Sequence, residues 1–114
     1  MHKQTESRRD QVRRLNDKFR CLGIGCGSLM LTAGVHEHGA KFVSAAVAAV
    51  RTFDGFNRDN DPHGEHDFGA FTLEGERLFF KIDYYDLALE GHSPDPGNAA
   101  VTHRVLTIMF ASEY

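Results

Sequence analysis

"DFGAFTLEGERLFFKIDYYD", residues 67–86, is the stretch on which the reading of the fold turns. Glu74-Gly75 stands between two runs rich in Phe, Thr, Leu and Ile, the pattern of two strands joined by a tight hairpin turn. In the second run Leu78, Phe80 and Ile82 alternate with Phe79, Lys81 and Asp83, so one face enters a core and the other is a mixed surface. Pairing about the turn sets Asp67 opposite the residues around Asp83.

Working outward, "GHSPDPGN" (91–98) carries two prolines and two glycines and reads as a loop. In "VTHRVLTIMF" (101–110) Leu106, Ile108 and Phe110 alternate with Val105, Thr107 and Met109. Apolar residues on both parities predict a central strand covered on both faces. Upstream, "HGAKFVSAAVAAVRTF" (38–53) places Phe42, Ala45, Ala46, Ala49, Val50 and Phe53 on a 3.6-residue period, a helix whose small residues permit close approach to a sheet. "SLMLTAGV" (28–35) reads as a short strand. From Glu6 to Arg20 a thin apolar line, Val12, Leu15 and Phe19, predicts an amphipathic helix with an Arg-rich solvated face, ended by Gly23, Gly25 and Gly27. The order α-β-α-β-β-β predicts one α+β domain over 1–114, a helix over 1–20 and a core over 26–114. Its sheet is expected to have about four strands, antiparallel or mixed, packed on one long helix.

The bulk properties agree with one domain. A chain of 114 residues buries roughly two-thirds of its unfolded surface in one core, and its 41% hydrophobic and 25% charged residues exclude disorder over most of the length. No apolar run approaches the ~20 residues of a membrane helix, and the first twenty residues lack the apolar stretch of a signal peptide, so a cytoplasmic location is expected. Cys21 and Cys26 are expected as reduced thiols. Residues 1–53 carry nine Lys/Arg against four Asp/Glu, a net +5, and residues 54–114 four against twelve, a net −8. An acidic half of this kind attracts basic partners.

The strongest chemical signal is "NDPHGEHDFG" (60–69). His63 and His66 with Asp61, Glu65 and Asp67 are donor types that zinc, manganese or iron accept, and His36, His38, His92 and His103 are further imidazoles. The spacing opposes convergence, because Pro62, Gly64 and Gly69 break the helix that an H-x-x-H pair needs. Calcium fits less well, since the twelfth position of an EF-hand-like count from Asp59 is Ala70. Acid/base work by His66 with Asp67, Asp83 or Asp86 lacks a neighbouring nucleophile, and "GIGCGSL" lacks the phosphate-loop pattern. The preferred reading is a turn started by Asp61-Pro62, with His66 or Asp67 bonded to loop backbone. No cofactor is expected.

"KIDYYD" (81–86) sets Tyr84 and Tyr85 between carboxylates, and tyrosine gives rigid contact area at low entropic cost. The hairpin brings Asp83 and Asp86 to the sheet end that also holds Asp59, Asp61, Glu65 and Asp67. These eight residues form an expected acidic, tyrosine-bearing binding edge.

The strings "NDPHGEHDFGAF", "KIDYYD", "SPDP" and "RVLTIMFASEY", with "LND.FR" at Leu15–Arg20 and "LTAGV" at Leu31–Val35, resemble a family of small alphaproteobacterial, plasmid- and mobile-element-associated proteins classed as domain of unknown function 3768. The resemblance runs from about Arg13 to Tyr114, departing around "CLGIGCG" and "HEHGAK". It transfers no catalytic residue. It implies a non-enzymatic inhibitor that binds host defence machinery, of the anti-CRISPR kind, with the acidic edge mimicking DNA against a basic nucleic-acid site, such as one on a CRISPR effector subunit. The alternative is a metal-binding regulator or hydrolase using His63 and His66. A third reading, direct nucleic-acid binding by Arg8, Arg9, Arg13, Arg14 and Arg20, is disfavoured by the net acidic charge.

Overall fold

The hairpin forms as its sequence demands. In the computed structural model, which describes residues 6–114, β2 (Phe68–Leu73) and β3 (Glu76–Tyr85) pair antiparallel with Leu73 opposite Glu76 and Phe68 opposite Lys81. Glu74 (φ 51°) and Gly75 (φ 79°) both take left-handed angles, the two-residue turn whose twist matches that of the strands. Gly69 faces the core, where an added Cβ would stand 2.2 Å from the Phe80 ring.

β4 (His103–Phe110) pairs antiparallel with β3, and β1 (Gly27–Leu31) pairs parallel with β4, so the mixed sheet has the order β1-β4-β3-β2. β4 is central, as its two-parity apolar content predicts. The expected cover on both faces is only partly met: Leu106 and Ile108 are buried toward the helices, whereas Val105 and Thr107 on the reverse face are half-exposed and Met109 alone is buried there. Tyr114 lies edge-on to Phe68 and Phe79 on that reverse face, with ring centroids 5.9 and 5.6 Å away.

Two long helices cover the other face, where one was expected. α1 (Arg8–Leu22) is capped by Ser7, whose Oγ accepts from the Asp10 N–H (3.1 Å), and ends at left-handed Gly23. The helix expected over 1–20 thus starts at Arg8, and the part of that expectation over residues 1–5 lies outside the described residues. The strand expected over 28–35 is half strand and half helix. β1 stops at Leu31, and α2 (Ala33–Glu37) begins behind Thr32, whose hydroxyl donates to Glu113 Oε1 (2.7 Å). α3 (Ala40–Thr52) is the alanine-rich helix, burying Phe42, Ala46 and Val50. These pack with Val35, Leu78, Phe80, Ile82, Leu106 and Ile108 in one core. Burying a side chain as large as Phe80 contributes about 1.5–3 kcal/mol.

The buried face of α1 is not the apolar line of its sequence. Val12, Asn16 and Arg20 are buried at i, i+4 and i+8, while Leu15 and Phe19 are only half-buried. Two of the three residues that this helix turns inward are polar.

Candidate functional site

Asn16 is fully buried, so its amide must find partners inside the protein. Its Nδ2 donates to the Glu65 carbonyl (2.9 Å) and to Tyr84 Oη (2.8 Å), and its Oδ1 accepts from Arg104 Nε (2.7 Å). Tyr84 Oη in turn donates to Asp67 Oδ2 (3.3 Å). Arg104 lies over the Tyr84 ring, 5.3 Å from its centroid, and its Nη2 donates to the Pro96 carbonyl. One buried polar chain therefore ties α1, the 60–69 loop, β3, β4 and the 91–98 loop together.

The loop "NDPHGEHDFG" is the second anchor of α1. Asp61 Oδ1 accepts from the backbone N–H groups of Glu65 (3.0 Å) and His66 (3.1 Å), which closes the turn. Gly64 (φ 67°) and His66 (φ 58°) take left-handed angles within it. Arg13 Nη1 donates to the Gly64 carbonyl (3.2 Å). The His66 imidazole lies flat on Phe56, with centroids 3.9 Å apart and planes 3° from parallel, and its Nδ1 stands 2.9 Å from Asp17 Oδ1. Asp17 also accepts from Arg20 Nη2 (3.2 Å), and Arg20 Nη1 donates to the carbonyls of Val50 (2.8 Å) and Phe53 (2.9 Å).

The expected binding residues divide on these observations. Asp61 is corrected outright: it is 8% exposed and its carboxylate is spent on loop backbone. Tyr84 faces the helices with its hydroxyl engaged, and only part of its ring meets solvent. Asp59 stays on an exposed turn. Asp83 and Tyr85 point to the open face of the sheet, because side chains alternate along β3, and Asp83 pairs with Lys81 Nζ (2.8 Å). Asp86 Oδ1 accepts from the Glu90 N–H (2.9 Å), forming the turn after β3.

Asp67, Asp83, Tyr84 and Tyr85 nonetheless share one place. β2 begins at Phe68 while β3 runs on to Tyr85, so the end of β3 overhangs its neighbour. The last contact on that side is the Ile82 N–H donating to the Asp67 carbonyl (2.8 Å), and beyond it Ser93 N donates to the Tyr84 carbonyl (3.1 Å). The overhang leaves a recess of about 310 Å³ lined by Asp67, Ile82, Asp83, Tyr84, Tyr85, Gly91 and His92.

Its electrostatics are those of crowded carboxylates. Burial raises Glu65 above the ordinary carboxyl range, helped by the charges of Asp67 and Asp61 and opposed by His63. Burial likewise raises Asp67, against the hydrogen bond from Tyr84. Burial, then the Asp67 charge, holds Tyr84 well above the ordinary phenol range, so at neutral pH it is a hydroxyl donor. A cation brought to this end relieves both carboxylates.

The imidazoles are not gathered. His63 is exposed, His66 is held by Phe56 and Asp17, and His38 packs on Phe42 with ring centroids 4.2 Å apart. Among the described residues no three His, Cys, Asp or Glu side chains stand together as a metal would need. Sequence reasoning missed Asn16, Asp17 and Arg104. Arg104 carries a readable signal, a lone charge in an apolar strand, which must be partnered if the strand is central.

A family model described as "Protein of unknown function (DUF3768)" matches residues 31–113, from the end of β1 through η2, the last short helical turn (Ala111–Glu113). The "LND.FR" segment of α1 lies upstream of that match. No curated protein and no solved structure matches the chain. No helix among the described residues is long and apolar enough to cross a membrane.

Proposed function

We propose, for a chain that belongs to the DUF3768 family and so takes no reaction from its relatives, a non-enzymatic role. It is a protein-binding inhibitor of the anti-CRISPR kind, from a mobile element, that sets its acidic overhang into a basic nucleic-acid-binding site. The observation that carries the reading is the recess at the end of β3. It is framed by Asp67, Asp83, Tyr84 and Tyr85, with Glu65 destabilised as an anion by burial and then by Asp67, and Asp67 by burial and then by Asp61. A lysine or arginine of a partner offsets that repulsion on docking, and complementary fields speed association. The revised surface is Asp59, Glu65, Asp67, Asp83, Tyr85 and Asp86 with the exposed edge of Tyr84. Asp61 serves inside the loop.

The arginines of α1 argue the same way. Arg8 pairs with Asp95 (2.6 Å), Arg9 and Arg13 with Asp10 (3.7 and 2.6 Å), Arg14 with Glu6 (3.1 Å), and Arg20 is buried beside Asp17. A helix whose five arginines are set against four carboxylates of its own chain is a poorer phosphate reader than its sequence suggests.

The test is phage plaquing on an alphaproteobacterial host with active CRISPR immunity, comparing wild type with the double reversal Glu65→Lys/Asp83→Lys. Restored plaquing by wild type and loss of that effect in the double reversal is the expected result. Equal restoration by both proteins would sink the acidic-overhang mechanism, and no restoration by wild type would sink the CRISPR target.

A further inference from the structure

The open face of the sheet carries a second cluster, which adjoins the overhang recess on its β4 side. The Arg104 N–H donates to the Cys26 carbonyl (3.1 Å), which extends the parallel β1–β4 ladder by one residue and sets Cys26 beside His103. Cys26 and Ser28 flank Gly27 on the same side of the strand. Gly27 is required there, since an added Cβ would meet the Phe19 ring at 2.5 Å and the Arg104 carbonyl at 2.7 Å. The His103 imidazole spans the two side chains, with Nδ1 3.3 Å from Cys26 Sγ and Nε2 2.8 Å from Ser28 Oγ. Cys26 is exposed, His103 is half-buried, and the space beside Gly25 is open, with no heavy atom within 4 Å of where its Cβ would be.

A thiol, a base at hydrogen-bond reach and a third group that orients the base are the parts of an activated nucleophile. We propose that Cys26 is a reactive thiol that takes low-molecular-weight disulfides, with His103 as its base and Ser28 as the positioning residue. Ser28 Oγ accepts from Nε2–H, which leaves the Nδ1 lone pair facing the thiol. Nδ1 takes the Sγ proton and the sulfur attacks one sulfur of R–S–S–R. The Cys26 S–S bond forms as the old S–S bond breaks, and the departing thiolate recovers the proton from Nδ1–H and leaves as R–SH. Cys26 is oxidised to a mixed disulfide and half of the small disulfide is reduced to thiol. The other groups that face this site are Tyr85, opposite His103 on β3, and Asp83, opposite Val105, with His92 bridged to Tyr85.

Cys21 is the internal control, a half-buried thiol lining a different recess with Asp17, Arg51 and His66. The native protein is incubated with oxidised glutathione at pH 7, and the adduct at each cysteine is followed by peptide mass mapping. Cys26 is expected to react about tenfold faster than either Cys21 or the same thiol in the urea-unfolded chain. His103→Gln removes the base and returns the rate to that of the unfolded thiol. Ser28→Ala lowers the rate severalfold while circular dichroism stays native. Where His103→Gln fails to fold, Ser28→Ala decides, and a rate unchanged by it overturns the proposal. A native Cys26 no faster than the unfolded chain overturns it as well.

Discussion

Asn16 is the residue whose removal reaches furthest. Its amide satisfies Arg104, Tyr84 and the Glu65 carbonyl together, so Asn16→Ala leaves a buried guanidinium N–H and a half-buried carbonyl without these partners. The expected cost is about 3 kcal/mol, the penalty of unmade buried hydrogen bonds, one of them to a charge. Urea unfolding checks it, through a lowered midpoint at unchanged slope. Asp67 acts with the opposite sign. Its carboxyl is raised above its unfolded value, so the stabilising effect of its proton is complete below the ordinary carboxyl range and is lost as pH rises through the raised value. Asp67→Asn keeps an oxygen that accepts from Tyr84 and removes the buried charge. The variant is therefore expected to be more stable than wild type at pH 7, with the difference vanishing on acidification below the ordinary carboxyl range. Thermal melts of both proteins across pH 3–7 measure this, and a difference that grows toward acid would contradict it.

Among the elements, the hairpin was readable to the residue, because turn chemistry and period-two alternation are local properties of the chain. Glu74 pays for that turn with a left-handed φ of 51° on a side chain that disfavours it. Glu74→Asn is expected to raise stability by about 0.5–1 kcal/mol, since Asn-Gly suits this turn, seen as a higher melting temperature. Gly69→Ala tests the opposite end of β2. Its methyl would stand 2.2 Å from Phe80 and 2.8 Å from Phe53, an overpacking cost of about 1–3 kcal/mol. Combining it with Phe80→Leu should recover part of the loss, and simple additivity of the two costs would show that the clash is not the cause. The helix α1 was readable as a helix but not in its orientation. An apolar line Val12, Leu15, Phe19 points one way, and the docked face Val12, Asn16, Arg20 lies turned from it. Hydrogen-bond partners supplied by the 60–69 loop, 49 positions away, and by the last turn of α3, 30 positions away, outweigh the thinner apolar line.

At the scale of the molecule, the charge split of the sequence becomes two different surfaces. The arginines of α1 take part in ion pairs with carboxylates of the same chain, and the acidic half gathers Asp67, Asp83 and Asp86 at the overhang of β3, where Lys81 is paired with Asp83. Docking to a basic partner is accordingly expected to weaken as salt rises, in proportion to the charges engaged. It is also expected to weaken as pH falls and the raised carboxyls of Glu65 and Asp67 take up protons. Binding measured at two ionic strengths and two pH values checks both. An affinity indifferent to salt would assign the contact to the tyrosines instead.

The sequence by itself determined the hairpin, the alanine-rich helix, the α+β class and the position of β4 inside the sheet, since each follows from spacing within some twenty residues. The tertiary structure decided which polar groups are interior. Asp61 and the Tyr84 hydroxyl read as surface in the chain and became structural, because the closed loop turns its own Glu65 and His66 N–H groups onto Asp61 and α1 brings Asn16 to the Tyr84 hydroxyl, in place of water. It also placed Cys26 against His103, 77 positions along the chain. Parallel pairing of β1 with β4 makes that contact, and no local period encodes it.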